Sequence, residues 1–324
     1  MKKNAVIIVV LVVLAAVFVG IGISRKGSDA DSDGSLTIGV IPKGLTHVFW
    51  QSVKAGAQEA CDEVGADMYW NGPEVESDRD KQIQIVEDLM IRNVSGVVLA
   101  PLDAEALVPV VERLYEREIP CAIIDSGIET DKYLSFISTD NYLGGQLAAR
   151  RMGEILGGEG NVIVIKYAQG SDSTTQRENG FIETIENEFP GISIVDTKYG
   201  LTTVETALQA TEDLLTKNQD VDGLFACNAS TSVGALRGLE SQGRTERIKM
   251  VGFDDEDAII NGLVEGKVDS IVVQNPFKMG YEGVKAVVAS IEGRPVERRI
   301  DTGVKVYTAE DLNDPQVRKA LRLE

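Results

Sequence analysis

The residues best suited to bind or transform a small molecule come directly after the predicted strands. Ligands of open parallel α/β sheets bind at the carboxyl ends of the strands. These segments are polar, include the adjacent aromatics Phe49 and Trp50, and carry no glycine-rich phosphate-binding motif. Nucleotide and dinucleotide chemistry is therefore disfavoured. The segments are 42–50, 101–103, 125–126, 139–141, 167–177, 228–231, 254–257 and 274–275.

The residue types that hold metals or drive catalysis are sparse. His47 is the one histidine, and the three cysteines, Cys61, Cys121 and Cys227, are far apart. This argues against a histidine-rich metal site and against a disulfide framework. Asp125 and Asp254 could form the carboxylate pair of a hydrolase, but the sequence gives no reason for a raised pKa in either. We therefore expect no catalytic residues, no metal and no cofactor.

Charge and composition limit the class of partner. The chain has 32 Lys and Arg against 51 Asp and Glu, a formal net charge of −19. This charge disfavours nucleic acid as a partner, because each phosphate contact would be made against a repulsive field. With 43% hydrophobic residues the chain can build a real core, and 324 residues suggest about two domains.

The N-terminus indicates a location outside the cytoplasm. Lys2 and Lys3 precede an unbroken apolar run over residues 5–23, followed by Arg25 and Lys26. We interpret residues 1–26 as a signal peptide or an uncleaved signal anchor and residues 27–35 as a linker. The rest of the chain is then periplasmic or extracytoplasmic, and it is anchored if the segment is retained.

From residue 36 onward, short apolar runs alternate with amphipathic segments of helix length. The predicted strands are 36–41, 67–70, 96–100, 121–125, 134–138, 161–166, 193–196, 223–227, 249–253 and 270–273. The predicted helices are 48–64, 78–92, 104–117, 142–156, 175–189, 204–217, 231–242, 256–265 and 276–291. Repeated alternation predicts parallel sheets with helices on both faces. Two series of about five units predict two such domains rather than one eight-unit barrel.

Five segments of the chain resemble the periplasmic sugar-binding proteins of the ribose-binding type, the extracytoplasmic receptors of ABC importers. They are FWQSVKAGA (49–57), TDNYLGG (139–145), RENGF (177–181), VGFD (251–254) and VQNP (273–276). The resemblance implies two flavodoxin-like lobes joined by a three-segment hinge. It places the first lobe at 36–139 plus 275–301 and the second at 140–274 plus 302–324.

The resemblance also implies a sugar site in the cleft. Phe49 and Trp50 match aromatics that stack on a sugar face, and we expect only one of them to face the cleft. The groups expected to bond the sugar hydroxyls are Asp125, Asn228, Asp254 and Gln274.

The chain departs from the family pattern at several of these positions. His47 stands where the family has an asparagine, and Ser126 and Thr175 stand where it has arginines. Lys43 resembles a lysine of the autoinducer-2 receptors and is a further candidate. With two arginines missing, we expect a ligand poorer in hydroxyls, or one held partly by Lys43, His47 and water.

Helix capping competes with ligand binding as a role for three candidates. Asp125 could be a turn or cap residue, Asp254 could cap the next helix, and Asn228 could cap a helix starting near Ser230. The leading hypothesis is a monomeric, non-catalytic receptor that takes a sugar or polyol to an ABC permease. The alternatives are a ligand-presenting sensor for a chemoreceptor or kinase, and an autoinducer-2-like furanone receptor.

Overall fold

The computed structural model describes residues 36–323. The predicted signal segment (1–26) and linker (27–35) lie outside the described residues. None of the helices within 36–323 combines the length and the apolar character needed to cross a bilayer.

The described chain contains two series of strands and helices. The strands are β1 (Thr37–Ile41), β2 (Asp67–Trp70), β3 (Gly96–Leu99), β4 (Cys121–Ile124), β5 (Ser135–Ser138), β6 (Glu159–Lys166), β7 (Gly191–Tyr199), β8 (Gly223–Ala226), β9 (Lys249–Phe253), β10 (Ser270–Val273), β11 (Arg299–Asp301) and β12 (Lys305–Thr308). The helices are α1 (Val48–Val64), α2 (Arg79–Ile91), α3 (Val108–Glu116), α4 (Asn141–Leu156), α5 (Asp172–Glu188), α6 (Val204–Lys217), α7 (Ala229–Ser241), α8 (Asp257–Val264), α9 (Pro276–Ile291) and α10 (Pro315–Ala320), with a 3₁₀ turn at Glu310–Asn313.

The strands form two six-stranded sheets of matching order. The first sheet runs β11-β5-β4-β3-β1-β2 and the second runs β12-β10-β9-β8-β6-β7. All pairs are parallel except β10 with β12. Each sheet has the flavodoxin-like order 2-1-3-4-5 with one added edge strand, so the predicted fold class is confirmed. We call the part built on the first sheet the first lobe and the part built on the second sheet the second lobe.

The chain passes between the lobes three times. It leaves the first sheet after β5 for α4, which packs against α5 and β9. It returns after β10 to α9, which packs against α1 and β4. The last crossing lies between β11 and β12, which belong to different sheets although only three residues separate them.

Both faces of each sheet are apolar, which explains the nearly continuous hydrophobic runs of the strands. In β3, Val98 packs on the α1 and α9 side while Val97 and Leu99 pack on the α2 and α3 side. Strand β8 is likewise buried along its whole length. The two edge strands β11 and β12 were not predicted, because they are short and carry exposed polar residues such as Arg299 and Lys305.

The first two helices begin at or within one residue of their predicted starts, 48 and 78. His47 precedes α1, and its side chain makes no capping bond. Asp78 caps α2, because its carboxylate accepts a hydrogen bond from the Lys81 backbone N–H at 2.9 Å.

Close crossings of two helix pairs hold each lobe together at glycines. A Cβ on Gly56 of α1 would lie 2.0 Å from the Phe277 carbonyl oxygen of α9. A Cβ on Gly145 of α4 would lie 2.1 Å from the Arg177 carbonyl oxygen of α5. Backbone atoms cannot move aside as flexible side chains do, so these positions require glycine.

We expect Gly56→Ala to lower the free energy of unfolding by about 2 kcal/mol, as overpacking of a tight contact does. Urea unfolding measures the loss. The control is Glu59→Ala, an exposed position on the same helix, which should change stability by less than about 0.5 kcal/mol. Equal stability of the two variants would contradict the close crossing.

Candidate ligand-binding site

A cavity lies between the lobes at the carboxyl ends of the strands. Its empty volume is about 380 Å³, including the part that opens to solvent. The lining residues are Lys43, His47, Phe49, Trp50, Glu76, Asp125, Tyr167, Ser173, Thr174, Arg177, Asn228, Ala229, Asp254 and Gln274. Eight of the ten predicted site residues are among them; Ser126 and Thr175 are not.

Lys43 forms a buried ion pair within the first lobe and a hydrogen bond to the second lobe. It follows β1, and its Nζ lies 2.8 Å from Asp125 Oδ2, with both side chains about 5% exposed. The same ammonium donates to Ser126 Oγ at 2.6 Å and, across the cleft, to Ser173 Oγ at 3.2 Å. These bonds compensate two charges that would be costly to bury alone.

Asp125 and Asp254 occupy equivalent places in the two lobes. Asp125 follows β4 and Asp254 follows β9, the fourth strand of each sheet's first five, and their φ angles are 63° and 69°. Asp is one of the few residues that adopt this left-handed region readily. The shared geometry turns both carboxylates from the strand ends into the cavity.

Each carboxylate oxygen of Asp254 accepts one hydrogen bond within the second lobe. Oδ2 accepts from the Ala229 backbone N–H at 2.9 Å, and Oδ1 accepts from Gln274 Nε2 at 2.7 Å. Helix α8 begins after Glu256, so Asp254 is not its capping residue. Burial raises the pKa of Asp254 to about 6, since desolvation disfavours the charged form more than Arg177 and Gln274 favour it.

Gln274 presents an acceptor that the described residues leave open. Its Nε2 bonds to Asp254, whereas its buried Oε1 has no hydrogen-bond partner among residues 36–323. Buried polar atoms are rarely left unpaired, because an unmade hydrogen bond costs about 1–3 kcal/mol. Gln274 Oε1 can therefore accept a hydrogen bond from a hydroxyl or amine of a ligand.

Three aromatic side chains line the cavity, and a carboxylate connects two of them. Phe49 and Trp50 meet edge to face with centroids 4.8 Å apart, 7% and 3% exposed. Both line the cavity, although we expected only one to do so, because both belong to the first turn of α1, whose end faces the cleft. Glu76 accepts from Trp50 Nε1 at 2.5 Å and from the Tyr167 hydroxyl at 2.5 Å.

The Tyr167–Glu76 bond connects the second lobe to the first. Burial and the Glu76 charge raise the pKa of Tyr167 well above its usual value of 10, so its hydroxyl remains a donor at neutral pH. A hydrogen bond to a charged group contributes about 1.5–3 kcal/mol. The bond therefore favours the closed arrangement of the lobes.

We expect Tyr167→Phe to weaken ligand binding about tenfold, which corresponds to about 1.4 kcal/mol, because the closed state loses this bond. Calorimetry gives the affinity, and small-angle scattering of the ligand-free protein gives the shift toward the open form. The control is Tyr115→Phe, at a tyrosine 61% exposed. Unchanged affinity in Tyr167→Phe would show that the bond does not favour closure.

Asn228 lines the cavity and also caps a helix. Its Oδ1 accepts from the Thr231 backbone N–H at 3.2 Å, and the Asn228 N–H donates to Thr231 Oγ1, forming a capping box at the start of α7. Its Nδ2 donates to Ser230 Oγ at 3.3 Å. The competing role of Asn228 as a cap is therefore present in the structure alongside its place in the cavity wall.

Ser126 lies behind the cavity wall, and Thr175 lies outside the cavity. Ser126 is buried and contacts Lys43 and Ser173. Thr175 is exposed, and its Oγ1 donates back to the Ser171 carbonyl oxygen at 2.8 Å. Helix α5 begins at Asp172, three residues before the predicted start, so Thr175 lies within its first turn, on the face exposed to solvent.

The family resemblance implies an arginine at position 175, which is Thr175 here. Arg177 supplies a guanidinium at the cavity instead. It is 2% exposed, donates to Asn141 Oδ1 at 2.8 Å and to the Cys227 carbonyl oxygen at 3.1 Å, and lies 4.1 Å from the Phe253 ring centroid. The expectation of a site lacking both arginines is thus not matched by the structure. The RENGF segment already contained Arg177, but helix phase was needed to see that it faces inward.

Glu76, Tyr167, Ser173 and Thr174 were not selected individually from the sequence. Tyr167, Ser173 and Thr174 belong to the long segment after β6, and nothing in its pattern distinguishes them from neighbours. Glu76 lies in the loop after β2 (71–78), which is not one of the segments predicted to bind a ligand. No local signal marks it, since its partners are 26 and 91 residues away.

His47 stands at the cavity rim between carboxylates of both lobes. Its Nε2 is 4.0 Å from Glu76 and its Nδ1 is 3.8 Å from Glu256. The interaction with Glu256, and to a lesser degree the Glu76 charge, raises the pKa of His47 above 6.5 despite its burial. Part of the histidine population is therefore charged near neutral pH.

The chain matches one family model over most of its length. Residues 38–295 match the family described as "Periplasmic binding protein domain". The chain is 28% identical over 295 residues to the ribose import binding protein of Haemophilus influenzae, an alignment that covers 91% of this chain and 97% of the relative.

Two solved structures with the same fold are more than 30% identical to this chain. A carbohydrate transporter solute-binding protein of Agrobacterium radiobacter, in complex with D-arabinose, is 32% identical with a TM-score of 0.85, covering 90% of this chain and 99% of that one. An ABC transporter solute-binding protein of Agrobacterium vitis, with bound D-fucose, is 34% identical with a TM-score of 0.84, covering 87% and 98%. Two matched lobes, an interlobe cavity and a family match over residues 38–295 lead to one conclusion: this chain belongs to the periplasmic binding protein family.

Proposed function

We propose that the protein is an extracytoplasmic receptor that captures a neutral sugar or sugar-like molecule between its lobes and delivers it to an ABC importer. The observation that carries this proposal is the interlobe cavity with its open acceptor. Gln274 Oε1 has no partner within residues 36–323, beside the carboxylate of Asp254. A hydroxyl of the ligand would satisfy it.

The chemistry of the lining suits a sugar rather than an ion. Carboxylates accept from ring hydroxyls, and Arg177 and Lys43 donate to them. Phe49, Trp50 and Tyr167 supply apolar surface for the C–H faces of a ring. Charges of both signs line the cavity, so it favours a neutral, hydroxylated ligand over a strongly charged one.

The relatives support the same class of ligand. The Haemophilus and Agrobacterium proteins are described as ribose import, carbohydrate transporter and ABC transporter solute-binding proteins, two of them with a bound monosaccharide. These descriptions favour the importer receptor over the two alternatives, a ligand-presenting sensor and a furanone receptor.

Closure of the lobes provides the means of capture. Bonds across the cleft include Ser126 Oγ to Ser173 Oγ at 2.8 Å, Gly127 N–H to Asp172 Oδ2 at 2.9 Å and Val48 N–H to Glu256 Oε1 at 3.3 Å. A ligand that contacts both walls adds to these bonds only in the closed state, so binding shifts the population toward closure. The closed lobes would then present one surface to the permease.

The remaining features follow from this role. The protein acts as a monomer and performs no reaction, since binding and release suffice. Its lobes comprise 36–139 plus 275–301 and 140–274 plus 302–324, a division that the sheet membership of β5, β6, β10, β11 and β12 supports. Residues 1–26 direct export as a cleaved signal or a retained anchor, which mass spectrometry of the mature N-terminus distinguishes.

Isothermal calorimetry against a panel of aldoses, ketoses and polyols tests the function. We expect at least one of them to bind with a dissociation constant in the micromolar range or lower. We also expect the radius of gyration of the protein to fall on binding. The absence of binding by every member at millimolar concentration would refute the proposal. Conversion of a bound sugar to product during prolonged incubation would refute the non-catalytic role.

A further inference from the structure

A second cavity adjoins the first at the mouth of the cleft. Its empty volume is about 650 Å³, counting the part open to solvent. His47 and Glu76 line both cavities, so these two side chains form the wall between them. The second cavity lies where the loops after β2 and β7 meet, and these are the edge strands farthest from β11 and β12 in each sheet.

The mouth of the cleft is lined by small side chains. Val75 and Thr46 come from the first lobe, and Thr202, Thr203 and Val204 come from the second. None of them is large enough to close the gap between the lobes. Space therefore remains beyond the inner cavity even though the lobes are already in contact through Tyr167 and Glu76.

The groups between and beyond the cavities can bond to a ligand. The His47 nitrogens lie 3.8 and 4.0 Å from their carboxylate neighbours, longer than a hydrogen bond, so they remain able to bond a ligand hydroxyl. Arg237, on α7, lines the outer cavity and forms no ion pair or hydrogen bond with any residue in 36–323. It is a free donor at the far end.

We propose that the outer cavity is a second subsite and that the natural ligand is a sugar of disaccharide size, with one ring in the inner cavity and a second neutral ring in the outer one. Threonine hydroxyls, Glu205 and Arg237 bond its hydroxyls, and the valines contact its C–H faces. Two carboxylates, Glu76 and Glu205, and two basic groups, His47 and Arg237, line the outer cavity, so its charge does not select an anionic extension. This inference rests on the proposed sugar-binding function.

Calorimetry with matched pairs tests the extension on the full chain. The probes are xylose with xylobiose, glucose with cellobiose and with maltose, and galactose with melibiose. We expect at least one disaccharide to bind fivefold or more tightly than its monosaccharide. If monosaccharides bind and no disaccharide reaches that ratio, the outer subsite is wrong while the receptor function stands. If nothing binds, both are wrong.

A variant that fills the outer cavity gives a second test. Thr202→Trp places a large ring at the mouth, and the ratio of disaccharide to monosaccharide affinity should fall at least tenfold. The matched control is Ile91→Trp, at a side chain 75% exposed at the end of α2, for which the ratio should stay within twofold of the parent. An unchanged ratio in Thr202→Trp would overturn the subsite.

Discussion

Lys43→Met is expected to weaken ligand binding about a hundredfold or more. In the closed lobes the substitution leaves the Asp125 carboxylate buried without its partner, which costs about 3 kcal/mol or more. It also removes the bond from Lys43 to Ser173 across the cleft. The closed state is therefore disfavoured, and affinity falls with its population. Calorimetry with the sugar that binds the parent protein measures the loss.

The stability of the ligand-free protein distinguishes weakened binding from a general destabilisation of the fold. In the open form water can reach Asp125, so the free energy of unfolding of the ligand-free protein should change by less than about 1 kcal/mol. Lys43→Met with Asp125→Asn removes the orphaned charge and should recover part of the affinity in a double-mutant cycle. The control Lys81→Met replaces an exposed lysine of the first lobe. Affinity within threefold of the parent for Lys43→Met would contradict the role of the ion pair.

Asp254→Asn is expected to stabilise the protein at neutral pH while weakening binding. The pKa of Asp254 is raised from 3.8 to about 6 by burial. The folded state therefore holds a proton that the unfolded state has released between these pH values, and stability falls as pH rises from about 4 to 6. A pKa that differs by one between the folded and unfolded states changes stability by about 1.4 kcal/mol, so the loss approaches about 3 kcal/mol.

Asparagine fits this position without strain. It tolerates the left-handed φ of 69°. If the Gln274 amide rotates, its unpaired Oε1 can accept from the new Nδ2, so the buried bonds are kept. Ligand binding should nevertheless fall at least tenfold, because the site loses a charged acceptor and Gln274 no longer offers its open one.

Urea unfolding at pH 4.5, 6 and 8 measures the stability effect. The parent should lose stability across this range, and Asp254→Asn should lose less and exceed the parent at pH 8. Asp220→Asn, at a side chain 94% exposed, should follow the parent at every pH. A variant no more stable than the parent at pH 8 would show that the buried carboxylate is not costly.

The sequence determined the architecture of this protein. Strands such as β3 and β8 are apolar on both faces, which is typical of parallel sheets covered by helices. Once the strands were placed, the rule that ligands bind at their carboxyl ends selected the segments that contain Lys43, Asp125, Asp254 and Gln274, all of which line one cavity. Both steps depend on local pattern alone, whereas the family resemblance singled out the individual residues. The edge strands β11 and β12 were not predicted from the sequence, because they are short, polar and exposed.

The tertiary structure decided which groups meet across the cleft. Lys43 bonds to Ser173, 130 residues away, and Tyr167 to Glu76, 91 residues away. Neither pair leaves a local sequence signal, because the contact exists only when two separately folded lobes close on each other. Helix phase likewise decided that Arg177 faces the cavity and Thr175 faces solvent, because residues two apart on α5 point about 200° apart around its axis. Local periodicity sets the elements, whereas the site depends on how those elements are brought together.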